Sequence, residues 1–490
     1  MSVKRKFLVE ALLKYNYFPF QKKKSEELPP IFSSSKLTIP CAEEISKEKI
    51  PNDRSKEGYD SVYCKATRFN SIPRLLSIPH PKPYIDLCFE FYNNWNKLTS
   101  ICTNDHSIII PRTHKDGRII IMDYESSYQR RERYFKEAFG KKYEVHTDIA
   151  NCFPSIYSHS IPWAIVGFEK AKKQRGDKFW FNSLDKKIQN CSRKETTGIP
   201  IGPATSNIIA EIILEKIDKA LKRKYKYVRF IDDYTLYSKD ETNAQNFIKD
   251  LGNELLKFKL NLNIKKTEIH KLPQPLNEEW IGRIKEILPK GKPVTSNQIS
   301  DILDSAVRLQ AKHLDGSVLK YTANALIKGL DNKSADAFVK YIIKLVYYYP
   351  NLLPSIKKPL ELFPETRTKN LKKQIVLLLK ESIAYGRTDI VCWLMYYLKY
   401  FNFQIDKRTA NMLIEQKDCL PLTILFYSPE HRKEVVKFAK KIDKQYHYEL
   451  DNYWILLYQI YLENLIENPY NDNVFPILKK NKISFVNIAK

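Results

Sequence analysis

The chain has 490 residues, room for two or three domains that each bury a core of their own. Its 82 Lys and Arg against 56 Asp and Glu leave a net charge of +26, which points to a polyanionic partner, most simply nucleic acid. No uncharged apolar run is long enough to span a bilayer, and eight scattered cysteines without a Cys-x-x-Cys spacing argue against a zinc or disulfide framework, so a cytoplasmic protein with no membrane partner is expected.

The N-terminal MSVKRKFLVEALLKYNYF carries Glu10 and Lys14 inside its apolar part, a pattern that predicts an amphipathic helix and not a signal peptide. Residues from about 20 to 70 are polar, with LPP and SSSK and mixed charges, so 1–70 is read as a helix followed by a loosely packed extension. From 71 to 290 short β-like runs alternate with helical patterns. From 291 to 490 glycine is scarce and amphipathic segments such as SADAFVKYIIKLVYYY and DNYWILLYQIYLENLI follow one another. They predict paired helices stacked as an irregular, HEAT-like all-α repeat, although no strict sequence repeat is present.

Four stretches of the middle part carry chemistry. IIIPRTHKDGRIIIMD, Ile108 to Asp123, is two β-runs about an Asp-Gly turn and predicts a hairpin with Arg112 and Arg118 on it. YEVHTDIANCFPSIY leads along a β-prone run to Asp148, a position that also suits a helix cap. TGIPIGPATSNIIAEIILEKIDKAL joins a loop shaped by Gly198, Pro200, Gly202 and Pro203 to a helix that Thr205 or Ser206 can cap, with an Ile208, Ile209, Ile212, Ile213, Ile217 stripe. That loop is either a helix entry or a place where bare backbone lies close to a flat base pair. YVRFIDDYTLYSKD sets Asp232 and Asp233 at the tip of a hairpin, between residues that belong in a buried strand. A carboxylate pair there is costly unless cations meet it.

The order of these pieces, strand with Asp148, Gly-Pro loop and helix, hairpin with Asp232 and Asp233, resembles the palm of reverse transcriptases. TDIANCFPSIY is similar to motif A, GIPIGPATS to motif B and FIDD to the Tyr-x-Asp-Asp box of motif C, with Phe230 in place of Tyr. The resemblance implies an α+β fold, a reverse transcriptase-like fingers and palm domain over 71–290 followed by the helical region. It implies nucleotidyl transfer with dNTPs, in which two Mg²⁺ (or Mn²⁺) ions about 3.5–4 Å apart stabilise the attacking and leaving oxygens. Hard cations take oxygen ligands. Asp148 and Asp232 would bridge the metals, Asp233 would complete the cluster and the Ile149 carbonyl would add a ligand. Phe153 is similar to the steric gate that rejects a 2′-hydroxyl, the 108–123 hairpin to the fingers hairpin whose Arg112 and Arg118 clasp the triphosphate, and Lys266 in LNLNIKKTEIH to the motif D lysine that protonates pyrophosphate. Gly202 and Pro203 would lie against the incoming nucleotide, and EWIGRI, Glu279 to Ile284, is similar to a primer-grip turn.

CFPSIYSHSIPWAIVGFEKAKK and SIPHPKPYIDLCFEFYNNW, with the helical C-terminal half, resemble bacterial abortive-infection and related defence-associated reverse transcriptases. That family implies antiphage defence in a bacterial cytoplasm, DNA synthesis that is untemplated or directed by a non-coding partner RNA, priming from a protein tyrosine, and homo-oligomers. Two other readings compete: a nucleic-acid-binding palm whose helical region carries the biological effect, and an RNA-synthesising polymerase, which Phe153 disfavours.

Overall fold

The computed structural model describes residues 3–20, 26–68, 72–122, 125–289, 293–314, 317–443 and 445–487; the expected boundaries at 70/71 and 290/291, and Asp123 of the expected hairpin, lie outside the described residues. The fold is α+β, with an all-helical region from Ser296 onward. The described strands form two antiparallel sheets. β1 (Ser61–Ala66) pairs with β2 (Arg74–Pro79). β3 (Tyr143–Asp148), β4 (Tyr227–Phe230), β5 (Asp233–Ser238) and β6 (Glu268–Lys271) form the second sheet in the order β4-β5-β3-β6.

Side-chain alternation gives this second sheet its two faces. Val145, Tyr234 and Leu236 are buried on one face, against the helix Glu241–Leu256, which in turn packs on the helix Ala204–Leu221. Glu144, His146 and Asp148 stand on the other, directly opposite Tyr237, Thr235 and Asp233. The expected β4-β5 hairpin is present, and its two-residue turn is Ile231-Asp232, because Phe230 and Asp233 are paired. The motif B-like helix begins at Ala204 with Pro203 as its N-cap and no side-chain cap; Thr205 and Ser206, read from the sequence as caps, are buried in its first turn.

The C-terminal helices stack in sequence, Ser296–Gln310 on Ser317–Leu326 and Asn332–Tyr348, then Asn332–Tyr348 on Lys369–Ala384 and Lys369–Ala384 on Thr388–Tyr400. They do not hang off the first half as a separate arm. Thr388–Tyr400, Cys419–Phe426 and His447–Asn452 all pack on β1. The segment expected to be loosely packed is drawn into this junction: Leu28, Ile31, Phe32, Leu37, Cys41 and Ile45 are fully buried, and Phe32 bridges to Val486. Polar composition misleads there because the partners are remote in sequence. The Arg54 guanidinium makes a bidentate pair with Asp451 at 2.8 Å, and the Trp454 indole donates to the Ile78 carbonyl at 3.1 Å. The expected N-terminal helix is Arg5–Lys14, with Leu8, Val9, Ala11, Leu12 and Leu13 buried. Among the described residues, no helix is long and apolar enough to cross a membrane.

Two more acids sit in this junction without an ion pair among the described residues. Asp389 accepts from Thr67 N and Oγ1, both at 2.7 Å, and Asp418 from the Thr388 hydroxyl. Burial pushes each carboxyl up to about 6 from an ordinary 3.8. The folded chain therefore holds protons that the unfolded chain has released between about pH 4 and 6. Stability contributed by these acids is complete below that window and lost as pH rises through it. Chemical unfolding at pH 4.5 and 7 should show a pH-dependent loss of about 1–3 kcal/mol per group, and Asp389→Asn with Asp418→Asn should flatten it; an unchanged slope in the double variant would refute the assignment.

Candidate functional site

Register alone brings Asp148, the last residue of β3, opposite Asp233, the first of β5, on the same face of the sheet. The turn adds Asp232, whose carbonyl accepts from Ile149 N at 3.1 Å. Ile231, at the first turn position, takes φ 58°, a left-handed value that a β-branched residue adopts only when its surroundings force it, at about 1–3 kcal/mol. The strained peptide is held where Asp232 is needed.

The electrostatics are those of crowded negative charge. Burial, then Asp148 and Asp233, pushes the Asp232 carboxyl up to about 6. Asp233 is raised as well, by desolvation and then Asp148, with Lys266 opposing. The Lys266 ammonium pairs with Asp148 Oδ2, and that bond, ahead of the fields of Asp233 and Asp232, holds it above the ordinary lysine range. Asp148 Oδ1 is buried and has no hydrogen-bond partner. Backbone bonds fix the surroundings: Asn263 N donates to the Asp148 carbonyl at 2.7 Å and Ala150 N to the Asn261 carbonyl at 2.8 Å. The structure thus joins four of the residues singled out in sequence, Asp148, Asp232, Asp233 and Lys266, with Ile149 buried beneath them.

The other expected site residues are placed differently. Phe153 is buried, 8% exposed, with its carbonyl accepting from Ile199 N, so it ties the motif A-like and motif B-like segments together. At Gly202, φ 137°, an added Cβ would lie 3.0 Å from the Ser77 carbonyl oxygen and 3.3 Å from Pro19. The bare backbone there is required by β2 and by the N-terminal segment, a partner that the sequence reading did not foresee. Gly202→Ala should cost about 1–3 kcal/mol, read as a lower melting temperature at unchanged helix content; an unaltered melting curve would contradict this packing. Pro203 next to it is the helix N-cap.

The stretch 108–122 contains no ladder, contrary to the expected hairpin of two strands. Its arms do approach, Arg112 N donating to Ile119 O and His114 N to Arg118 O. Further pairing is pre-empted by Asn16, whose Oδ1 accepts from Ile119 N and Ile120 N while its Nδ2 donates to the Ile120 carbonyl. Arg112 is exposed, whereas the Arg118 guanidinium is turned inward onto Asp116 at 2.6 Å and the Phe20 carbonyl at 2.9 Å. EWIGRI is not a turn: it opens the helix Glu279–Ile287, with Trp280 and Ile284, four residues apart, on its buried side.

One group of site residues escaped sequence reading. Arg229 of β4 is fully buried between two acids of the helix Ala204–Leu221, reaching Glu211 at 2.9 Å and Asp218 at 2.7 Å, and it donates to the Ile231 carbonyl at 2.8 Å. Two carboxylates against one guanidinium leave net negative charge, relieved by neutral donors: Asn104 to both acids, Tyr227 to Asp218 and Ser107 to Glu211. This lattice clamps the carbonyl of the residue just before Asp232. The signal was available, since Glu211 and Asp218 are seven residues apart on the buried side of an isoleucine-rich helix.

Residues 96–294 match the family model described as Reverse transcriptase (RNA-dependent DNA polymerase). The middle of the chain is a reverse transcriptase-like domain. The matched span takes in β3 to β6 and the whole carboxylate site. No curated protein matches the chain in sequence. Solved structures similar to it include apo telomerase from Candida tropicalis, at 12% identity over 71% of this chain and 70% of that one with TM-score 0.32. Telomerase from Candida albicans in complex with a fragment of telomeric RNA is similar at 10% identity over 72% and 69%, TM-score 0.30. Neither likeness reaches a level from which anything further follows.

Among the described residues no three acidic, histidine or cysteine side chains close around one point as a ready metal cage. The donor set nevertheless suits a hard divalent cation: three carboxylates, one buried oxygen with no hydrogen-bond partner, and an ammonium standing as counter-charge. A cation entering there competes with Lys266 for Asp148.

Proposed function

We propose that the chain is a metal-dependent DNA polymerase of reverse transcriptase type that adds dNTPs by nucleotidyl transfer. The observation that carries this reading is the buried, unpartnered Oδ1 of Asp148 beside Asp232 and Asp233, inside the span that matches the reverse transcriptase family. Asp148, Asp232 and Asp233, with the Ile149 carbonyl, would hold Mg²⁺ or Mn²⁺, which when bound activates the attacking hydroxyl and stabilises the leaving oxygen. The protein's own contribution is positional. Arg229 and the Ile231 turn fix Asp232, the β3-β5 register fixes Asp148 against Asp233, and Lys266, kept protonated by Asp148, holds a proton at Nζ for the departing pyrophosphate. Phe153 remains the proposed gate against ribonucleotides, Arg112 and Arg118 the proposed triphosphate contacts from the 108–122 stretch, and Gly202 and Pro203 the backbone lying nearest the incoming nucleotide.

The biological setting we propose is antiphage defence in a bacterial cytoplasm, by a homo-oligomer whose synthesis is protein-primed and untemplated or directed by a partner RNA; the resemblance of residues 77–95 and 152–173 to abortive-infection reverse transcriptases supports it, as does the +26 charge for a nucleic-acid partner. The test is incorporation of each labelled dNTP and rNTP by purified protein, with Mg²⁺ or Mn²⁺ and no added template, beside Asp232→Ala. Metal-dependent DNA that stays on the protein until proteolysis is the expected product. Product that appears only after host RNA is restored would select the partner-RNA form, and equal incorporation by Asp232→Ala would overturn the polymerase reading.

A further inference from the structure

Between the motif A-like strand and the motif B-like loop, the helices Ser160–Val166, Phe168–Lys173 and Trp180–Asn190 enclose a cavity of about 490 Å³, half open to solvent. That size falls in the range of about 300–1,000 Å³ of small-molecule sites. Trp163, 8% exposed, and Pro162 give it an apolar wall, and four cations line it: Lys172, Arg175, Lys186 and Lys194.

Its two acids are already engaged. Asp177 takes the Lys186 ammonium, and Asp185 accepts from Gln189 Nε2 at 2.6 Å while meeting His159 Nδ1 at 2.5 Å. Lys172, Arg175 and Lys194 have no ion-pair partner among the described residues. Lys172 instead lies over the Trp163 and Phe168 rings, and the Arg175 Nε donates to the Lys172 carbonyl at 3.1 Å. Lys194 is anchored in place: at φ 58° its N–H donates to the Gln189 carbonyl at 2.9 Å, and its backbone passes so close to Gly58 that a Cβ there would lie 2.9 Å from it. Burial and the neighbouring Lys186 depress its ammonium. Three cations without an ion-pair partner among the described residues, lining a concave aromatic-walled space, are complementary to a phosphate-bearing ring compound.

We propose that this cavity is a second phosphate site, in which Lys172, Arg175 and Lys194 hold phosphate oxygens and Trp163 with Pro162 backs a base. The phosphate belongs either to a free nucleotide or to the backbone of a bound strand. None of these residues belongs to the carboxylate cluster, so binding here and incorporation there fail separately.

The experiment uses the full chain without divalent metal and two probes, dATP and a short single-stranded oligodeoxynucleotide, titrated at several salt concentrations. Lys172→Glu/Lys194→Glu is compared with wild type, with melting curves as a folding control. Weaker binding of dATP by about tenfold or more in the double variant identifies a free nucleotide. The same loss for the oligonucleotide, with the slope of log affinity against log salt flattened by roughly 1.4 for two phosphate contacts, identifies a strand. On wild-type protein, where folding is not in question, either probe should slow acylation of Lys194 as read by peptide mass spectrometry. Unchanged affinity for both probes in a folded double variant, or Lys194 acylated equally fast with and without them, overturns the proposal.

Discussion

Replacing Asp232 with asparagine should remove dNTP incorporation while making the protein more stable. The activity loss is expected to be at least about a thousandfold, because Asp232 would be one of the carboxylates that hold the divalent ion, and losing it would forfeit several kcal/mol of charge stabilisation, at about 1.36 kcal/mol per tenfold. The stability gain has a separate origin. Asp148 and Asp233 oppose each other at the sheet end, Asp232 lies in the adjoining turn, and a single ammonium pairs with Asp148, so burial with like charge raises Asp232 to about 6. Removing one charge relieves that repulsion by about 1–2 kcal/mol once screening at this half-open site is allowed for. Thermal melting without metal should therefore rank Asp232→Asn above wild type. Added Mg²⁺ or Mn²⁺ should raise the wild-type melting temperature and leave the variant where it was. A variant that melts below wild type, or that still gains from metal, would show that the carboxylates do not form one electrostatic unit.

The second large effect belongs to Arg229. Arg229→Met should destabilise the fold by about 3–5 kcal/mol, since it strands Glu211 and Asp218 in a site with no other cation within ion-pair reach among the described residues. It also removes the donor to the Ile231 carbonyl, so any folded fraction should turn over more slowly. The diagnostic comparison is the triple variant Arg229→Met/Glu211→Gln/Asp218→Asn. Neutralising both acids should recover most of the lost stability in chemical denaturation, because the penalty is uncompensated charge and not lost packing. It should not recover the rate, because the clamp on the turn is still missing. If the triple variant is no more stable than the single one, the lattice does not act by charge compensation.

What the sequence made legible follows a physical division. The carboxylate strand, the helix after the Gly-Pro loop and the β4-β5 hairpin could be read because each is encoded locally: alternation, an isoleucine stripe and a two-residue turn. Lys266 could be placed only by resemblance, yet it meets Asp148. Misreadings occurred where a distant residue overrides a local signal. Asn16 takes the backbone groups that the 108–122 arms would have paired, and the Ser77 carbonyl packs so close to Gly202 that its bare backbone has a structural reason the local sequence does not show. The Arg229 lattice stayed hidden because charged residues inside an apolar pattern are read as surface until their partners are known. Likewise Ile31, Phe32 and Leu37 sit among prolines and serines yet are buried, with Phe32 bridging to Val486 and Ser33 N donating to the Phe485 carbonyl.

That last junction has a consequence for how the protein comes into being. Arg54 and Asp451 are 397 residues apart in sequence, and each is buried against the other. At about 5–20 residues per second, roughly 20–80 s of synthesis separates them. During that interval the nascent N-terminal half holds an unpaired guanidinium and an uncovered apolar strap. A chain terminated before Asp451 would leave Arg54 and that apolar strap without their partners, so the two ends of the polypeptide are expected to become protease-resistant together and only after synthesis is complete.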